Sequence, residues 1–234
     1  NDEILYTGDG QIRVVALTGE IKPSIPFDAH VAFTRTAYTK RVRDFEGKAP
    51  AKVYGVVEPA IAPDGKSAVF TALGDLWRIS LTDDRRPGTA DRRPEQLTSG
   101  PYVEFNAAWS PDGKAIVFAS DRSGTMELWL RDMTNGVERA LTKTAGGAAW
   151  PTWAPDGKAV IYQVQRGLGS EIHEVDVTTG VTKRVKAGLF QPSRAAFNAD
   201  GSLIAVAALK AYSARYREGR NDILIFNRAG TGDR

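Results

Sequence analysis

Residues 108–118 read A-W-S-P-D-G-K-A-I-V-F: an apolar residue, a Pro-Asp-Gly turn, then a short apolar run. Pro holds φ near −65°, Asp suits the next turn position, and Gly takes the left-handed conformation that a Cβ disfavours. The expected product is a tight hairpin between two strands. The string recurs as A-I-A-P-D-G-K-S-A-V-F at 60–70, T-W-A-P-D-G-K-A-V-I-Y at 152–162 and A-F-N-A-D-G-S-L-I-A-V at 196–206. The anchoring glycines, Gly65, Gly113, Gly157 and Gly201, set a repeat of 44 to 48 residues.

Each repeat carries further strand signals. An acidic residue leads an apolar stretch at Asp75-Leu76-Trp77, Glu127-Leu128-Trp129, Glu171-Ile172-His173 and Asp222-Ile223-Leu224. Glycine turns follow at 134–136 and 178–180, and last strands are expected at 96–98, 139–142 and 183–185. Four strands per repeat make a propeller blade, so the fold class is all-β, a β-propeller of four-stranded antiparallel blades. The expected order is the end of a preceding blade at 1–27, an inter-blade insertion at 28–56, and blades at 57–98, 99–142, 143–186 and 187–234. The leading piece offers strands two to four (Ile4–Tyr6, Gln11–Val15, Lys22–Ile25), while the last blade lacks its fourth strand. These pieces overlap and do not merge into one blade. The expectation is therefore a segment of a larger propeller, about four blades plus a partial one.

Composition narrows the partners. The 31 Lys and Arg against 28 Asp and Glu are interleaved, as in R-V-R-D-F-E, and read as solvated loop charge, so no nucleic-acid partner is expected. No apolar run approaches the roughly 20 residues of a membrane helix, and no membrane span is expected. The chain has no cysteine, which removes disulfides, thiolate zinc sites and thiol nucleophiles and fits an oxidising, periplasmic or secreted setting. The opening N-D-E-I-L-Y-T-G has neither a basic start nor an apolar stretch, so the expectation is that any export signal has been removed or was never in this segment.

No complete catalytic site is legible. The chain has two histidines, His30 and His173, and neither has a second ligand at metal spacing. His173 aligns with Trp77 and Trp129 on a third strand, where packing or a strand-face hydrogen bond explains it; His30 reads as a loop residue. G-x-S-x-G, G-x-x-x-x-G-K-[ST] and H-E-x-x-H are all absent. Asp112 and Asp156 recur at the hairpin turns without the D-x-[DN]-x-[DN]-G calcium spacing, and turn geometry accounts for them.

The string W-S-P-D-G-K, F-A-S-D-R-S-G, E-L-W-L-R-D and R-A-L-T from Trp109 to Thr142 resembles the TolB-type propeller repeat, over nearly the whole chain. That repeat occurs in TolB, in prolyl oligopeptidase-type peptidases, and in bacterial proteins that join a TolB-like propeller to an amidohydrolase domain. Two stretches, F-T-R-T-A-Y at 33–38 and A-L-K-A-Y-S-A-R-Y-R-E-G at 208–219, resemble segments of the amidohydrolase-linked proteins. The resemblance implies a non-catalytic propeller segment of an exported hydrolase. Its partners would be the rest of the propeller and a catalytic domain, and zinc or a similar divalent metal would belong to that domain. No cofactor is expected in this chain. The alternatives are a TolB-like periplasmic scaffold that binds envelope proteins, and the gating propeller of a prolyl oligopeptidase-type serine peptidase.

Strand order assigns the loops to faces. The Pro-Asp-Gly turns and third-to-fourth turns fall on one end of the blades, and the inter-blade links and second-to-third loops on the other. Both family-like segments lie on the link face. Arg35, Tyr38, Arg41, Tyr212, Arg215, Tyr216 and Arg217 are therefore the candidate substrate- or partner-binding residues, since Arg and Tyr combine contact area with directed hydrogen bonds. Bracing of long loops by ion pairs is the other reading of the same residues.

Overall fold

The computed structural model describes residues 2–28, 30–34, 53, 55–81, 93–211 and 219–232, with no side chains described at 210, 211, 219 and 220. The chain divides into two compact units, Asn1–Pro50 and Ala51–Arg234. Among the described residues there are strands and turns and no helix.

In the first unit β1 (Glu3–Gly8) pairs antiparallel with β2 (Gln11–Ala16), with Tyr6 opposite Arg13. The third strand expected at 22–25 is reduced to isolated bridges, Ile12 with Ile25 and Val15 with Ile21. Pro23 is the physical reason: it has no N–H to give to a ladder.

The second unit holds four antiparallel sheets, each running from first to last strand in chain order. The first is β3 (Val57–Ile61), β4 (Ser67–Ala72), β5 (Asp75–Ser80) and β6 (Glu95–Gln96). The second is β7 (Glu104–Trp109), β8 (Ala115–Ser120), β9 (Glu127–Asp132) and β10 (Glu138–Ala140). The third is β11 (Ala148–Trp153), β12 (Ala159–Arg166), β13 (Gly169–Asp176) and β14 (Thr182–Leu189). The fourth, β15 (Ala196–Phe197), β16 (Leu203–Ala211) and β17 (Gly219–Asn227), has three strands among the described residues. These are propeller blades.

The hairpin turns form for the reason read from the sequence. Each closes with an N–H of glycine to the carbonyl three residues back, as from Gly113 to Ser110 at 2.9 Å, and the glycines have φ between 68° and 73°. The Asp carboxylate accepts the N–H two residues on: Asp64 from Lys66, Asp112 from Lys114, Asp156 from Lys158 and Asp200 from Ser202. Successive turns touch: a Cβ built on Gly113 lies 3.7 Å from Pro63 Cδ, on Gly157 3.9 Å from Pro111 Cδ, and on Gly201 3.2 Å from Pro155 Cδ.

The second strands of the middle two blades, β8 and β12, are apolar on both faces because each is packed between two blades. Val160, Tyr162 and Val164 of β12 join Val117, Ala119 and Leu128 of the second blade, whereas Ile161 of the same strand joins Ile204, Val206 and Phe226 of the fourth. Ile116 and Phe118 of β8 pack with Val69 and Leu76 of the first blade. Fully burying one such side chain contributes about 1.5–3 kcal/mol.

First-strand tryptophans stitch neighbouring blades. Trp109 Nε1 donates to the carbonyl of Ala60 at 3.0 Å, and Trp153 Nε1 to that of Ala108 at 3.1 Å. Where Phe197 replaces tryptophan, Thr152 Oγ1 donates to the carbonyl of Ala195 at 2.8 Å. The Leu-Thr pairs ending the first two blades satisfy the third strands: Thr98 and Thr142 hydroxyls accept the N–H of Leu76 and Leu128, each at 2.9 Å.

Candidate functional site

First strands are the innermost strands of the blades, and each of the first three is bulged. The register breaks between Val57 and Ala60, Phe105 and Ala108, and Ala149 and Thr152. At these breaks Glu58, Asn106 and Trp150 have φ of 53°, 57° and 55°. A non-glycine residue held there costs on the order of 1–3 kcal/mol. A bulge re-aims side chains, and these three occupy one aligned position, three residues before Ile61, Trp109 and Trp153. The fourth blade has Arg194 at that position, three before Phe197.

The other three meet at Asn106, a residue 1% exposed. Its N–H donates to Glu58 Oε2 at 2.6 Å, and its Oδ1 accepts the N–H of Trp150 at 3.2 Å. Arg194 Nη2 donates to its carbonyl at 3.1 Å, so the fourth blade reaches the second around the propeller axis. Asn106 Nδ2 is buried with no hydrogen-bond partner. Surrounding protein atoms lower the pKa of the Arg194 guanidinium, with the Glu58 carboxylate opposing the shift. Arginine stays protonated under either influence. Trp150 is exposed, and it borders a recess of about 170 Å³ lined also by Met126, Gln163 and Ser170.

Beside this axial ring lies a braced blade edge. Arg122, in the D-R-S-G loop, pairs with Glu104 and Glu138, and Arg131 pairs with Glu138 at 2.6 Å. The Arg122 guanidinium also lies 4.7 Å from the Trp129 ring centroid and 5.4 Å from that of Phe118. Glu104 is 1% exposed, so its charge depends on this partner.

On the turn face two equivalent inter-blade clefts open. One of about 540 Å³ is lined by Pro111, Asp112, Trp153 and Asp156, the other, of about 480 Å³, by Pro63, Asp64, Trp109 and Asp112. Ser110 Oγ and the Lys114 N–H lower the pKa of Asp112, and the Lys158 N–H, then Arg228, lower that of Asp156. On the link face, exposed apolar side chains recur in the loops: Leu73, Tyr102, Leu168 and Phe190, with Leu168 88% exposed.

His173 makes the expected strand-face contact: its Nε2 lies 2.8 Å from Glu171 Oε2, and its ring centroid is 5.7 Å from that of Tyr162. Glu171 also binds Arg184 at 3.2 Å, and its pKa is lowered, by His173 first. His30 is exposed. Among the described residues no group of three or more His, Cys, Asp or Glu side chains could hold a metal ion. Arg35, Tyr38, Arg41, Tyr212, Arg215, Tyr216 and Arg217 lie outside the described residues. Sequence reading missed the axial ring. The alignment held one usable signal, the polar or large residue three before each first-strand apolar residue.

The TolB beta propeller domain family matches residues 27–218. Among solved structures, a TolB-assigned protein of Agrobacterium tumefaciens superposes with a TM-score of 0.62 at 26% identity, covering 75% of this chain and 59% of that one. TolB of Acinetobacter baumannii superposes at 0.60 and 21% identity, covering 98% of this chain and 50% of that one. A puromycin hydrolase shares the fold at 0.58 and 20% identity, covering 78% and 28%. Dipeptidyl-peptidase 5 of Porphyromonas gingivalis is 32% identical over 83 residues, 31% of this chain and 11% of the peptidase. The chain thus spans from about a tenth to three fifths of these proteins' lengths.

Proposed function

This chain belongs to the TolB beta propeller domain family, and on that premise we propose that it is the non-catalytic propeller segment of a larger exported, metal-dependent amidohydrolase. Its task there is to position the catalytic domain or restrict access to it. The observation that carries the reading of a docking module is the link face, where Leu73, Tyr102, Leu168 and Phe190 expose apolar surface on rigid blades. The choice of amidohydrolase rests on the resemblance of the segments at 33–38 and 208–219 to segments of the amidohydrolase-linked proteins. Zinc or a similar ion would be held by the catalytic domain.

A peptidase propeller is the second reading, favoured by the 83-residue likeness to a dipeptidyl-peptidase and the shared fold of a puromycin hydrolase. A periplasmic TolB-like scaffold is the third, favoured by the two TolB structures. The deciding experiment expresses the whole reading frame and measures bound metal and labelling by a serine-directed fluorophosphonate. Stoichiometric zinc with hydrolysis abolished by chelation supports the amidohydrolase. Labelling without metal supports the peptidase, and neither supports the scaffold.

A further inference from the structure

On the turn face, Arg228 lies between the third and fourth blades. Its guanidinium stands 5.6 Å from the Phe197 ring centroid, Nη1 donates to Asp156 Oδ2 at 3.4 Å, and Nε donates to Glu174 Oε2 at 2.7 Å. The fold repeats this position in every blade. The N–H groups of Leu81, Met133, Val177 and Arg228 donate to the carbonyls of Lys66, Lys114, Lys158 and Ser202, each the residue after a hairpin-turn glycine. By the same repeat Trp153 stands where Phe197 does, and Asp112 where Asp156 does. Val177 therefore holds the place of Arg228 in the cleft of about 540 Å³ between the second and third blades.

Asp112 is set up as Asp156 is. In both, Oδ1 accepts the N–H two residues on, from Lys114 at 3.0 Å and from Lys158 at 2.9 Å, and in Asp156 Oδ2 takes Arg228. The Ser110 hydroxyl also binds Asp112 Oδ1, and Asp112 has no ion pair among the described residues. Asp112, Asp132 and Asp156 line this cleft with one cation, Lys114. The aligned Lys158 accompanies Arg228 at the filled position, so a lysine there does not exclude a guanidinium. The cleft between the first and second blades differs: Arg78 and Lys114 stand with Asp64 and Asp112, and the larger Met133 takes the Arg228 position.

We propose that the cleft between the second and third blades binds an arginine side chain of a partner protein, set against Trp153 and paired with Asp112 as Arg228 is set against Phe197 and paired with Asp156. Arginine is favoured over lysine because its planar fork both stacks on a ring and binds a carboxylate. Pro111, Asp112, Pro155 and Asp156 on the rim are exposed, so the cleft does not enclose a free small molecule. The arginine comes on an extended protein segment, which adds contacts outside the cleft. The site lies on the turn face, so the inference is independent of what docks on the link face.

The test measures fluorescence anisotropy of a labelled, blocked peptide, Ala-Gly-Arg-Gly-Ala, titrated with the intact protein. Saturable binding is expected, with the lysine peptide weaker and the citrulline peptide, which keeps the shape without the charge, weaker still. Asp112→Asn keeps an acceptor for the Lys114 N–H and removes the charge; it should weaken binding roughly 3- to 10-fold, the lower part of the range for a charged hydrogen bond because Asp112 is exposed. Asp64→Asn, in the neighbouring cleft, should leave the affinity unchanged. Val177→Arg supplies the guanidinium from within and should abolish binding with the circular dichroism spectrum retained. If that variant loses its native spectrum, the Asp112→Asn result decides. Absence of saturable binding at millimolar protein, equal binding of the citrulline peptide, an unchanged affinity in Asp112→Asn, or retained binding in a folded Val177→Arg variant would overturn the proposal. Competition by N-acetylargininamide with the peptide's own affinity would assign the cleft to a free guanidino compound and overturn it too. None of these readouts uses hydrolysis, so the outcome is separate from that of the amidohydrolase reading.

Discussion

Replacing Trp153 by Phe should cost about 2 kcal/mol, whereas the same replacement at Trp129 should cost less than about 1 kcal/mol. Trp153 is 9% exposed, and its indole N–H crosses to the carbonyl of Ala108 in the preceding blade. Phe removes a hydrogen bond of net worth about 0.5–1.5 kcal/mol. It also buries about 40 Å² less apolar surface, about 1 kcal/mol at roughly 25 cal/mol per Å². Trp129 differs because its Nε1 is buried without a partner. Removing that N–H relieves a desolvation cost of about 1–3 kcal/mol. The relief offsets the same loss of area and a weaker contact with the Arg122 guanidinium, worth about 0.5–1 kcal/mol. The assay is urea unfolding followed by far-ultraviolet circular dichroism, with equal m-values required before the free energies are compared. Equal costs at the two positions would refute the assignment of the indole hydrogen bond as a tie between blades.

Other consequences follow from the turns and the buried charges. Gly65→Ala and Gly201→Ala both force a left-handed alanine, costing about 1–2 kcal/mol. Gly201→Ala should be the worse, because its Cβ would lie 3.2 Å from Pro155 Cδ while nothing lies within 4 Å at Gly65; thermal melts of the pair check the order. Arg122→Ala should cost about 3–5 kcal/mol by leaving Glu104 buried and unpaired, and the double variant R122M/E104Q should recover much of that loss in denaturant titrations. Asp112 and Asp156 have folded pKa values below their ordinary 3.8, so they stabilise the fold above that pH and lose the contribution as pH falls through the lowered values. Melting temperature should drop steeply below about pH 4, and Asp156→Asn should flatten the drop at the expense of stability at pH 7.

The blade was legible in the sequence because its determinants are local. Pro-Asp-Gly fixes a turn through φ preferences within four residues, and the Asp carboxylate caps the turn two residues on, so Gly65, Gly113, Gly157 and Gly201 announced the hairpins unaided. Period-two alternation fails in β8 and β12, yet the runs Ile116–Ala119 and Val160–Val164 still read as strands because blades pack on both sides of them. Strand lengths were less legible: Pro23 left only bridges where a third strand was expected, which pattern alone did not weigh.

The axial ring was decided by tertiary structure. No preference of Glu or Trp predicts a left-handed conformation at 58 and 150, the tolerance of Asn for it does not single out position 106, and nothing local relates Arg194 to an asparagine 88 residues earlier. Those conformations persist because neighbouring blades supply the hydrogen bonds that hold them, and that supply exists only once the first strands stand side by side around one axis. The sequence by itself determined a repeated blade, since turn and strand preferences act over a few residues. Which polar side chains of different blades meet, and with what unmatched donors, was set by packing those blades together.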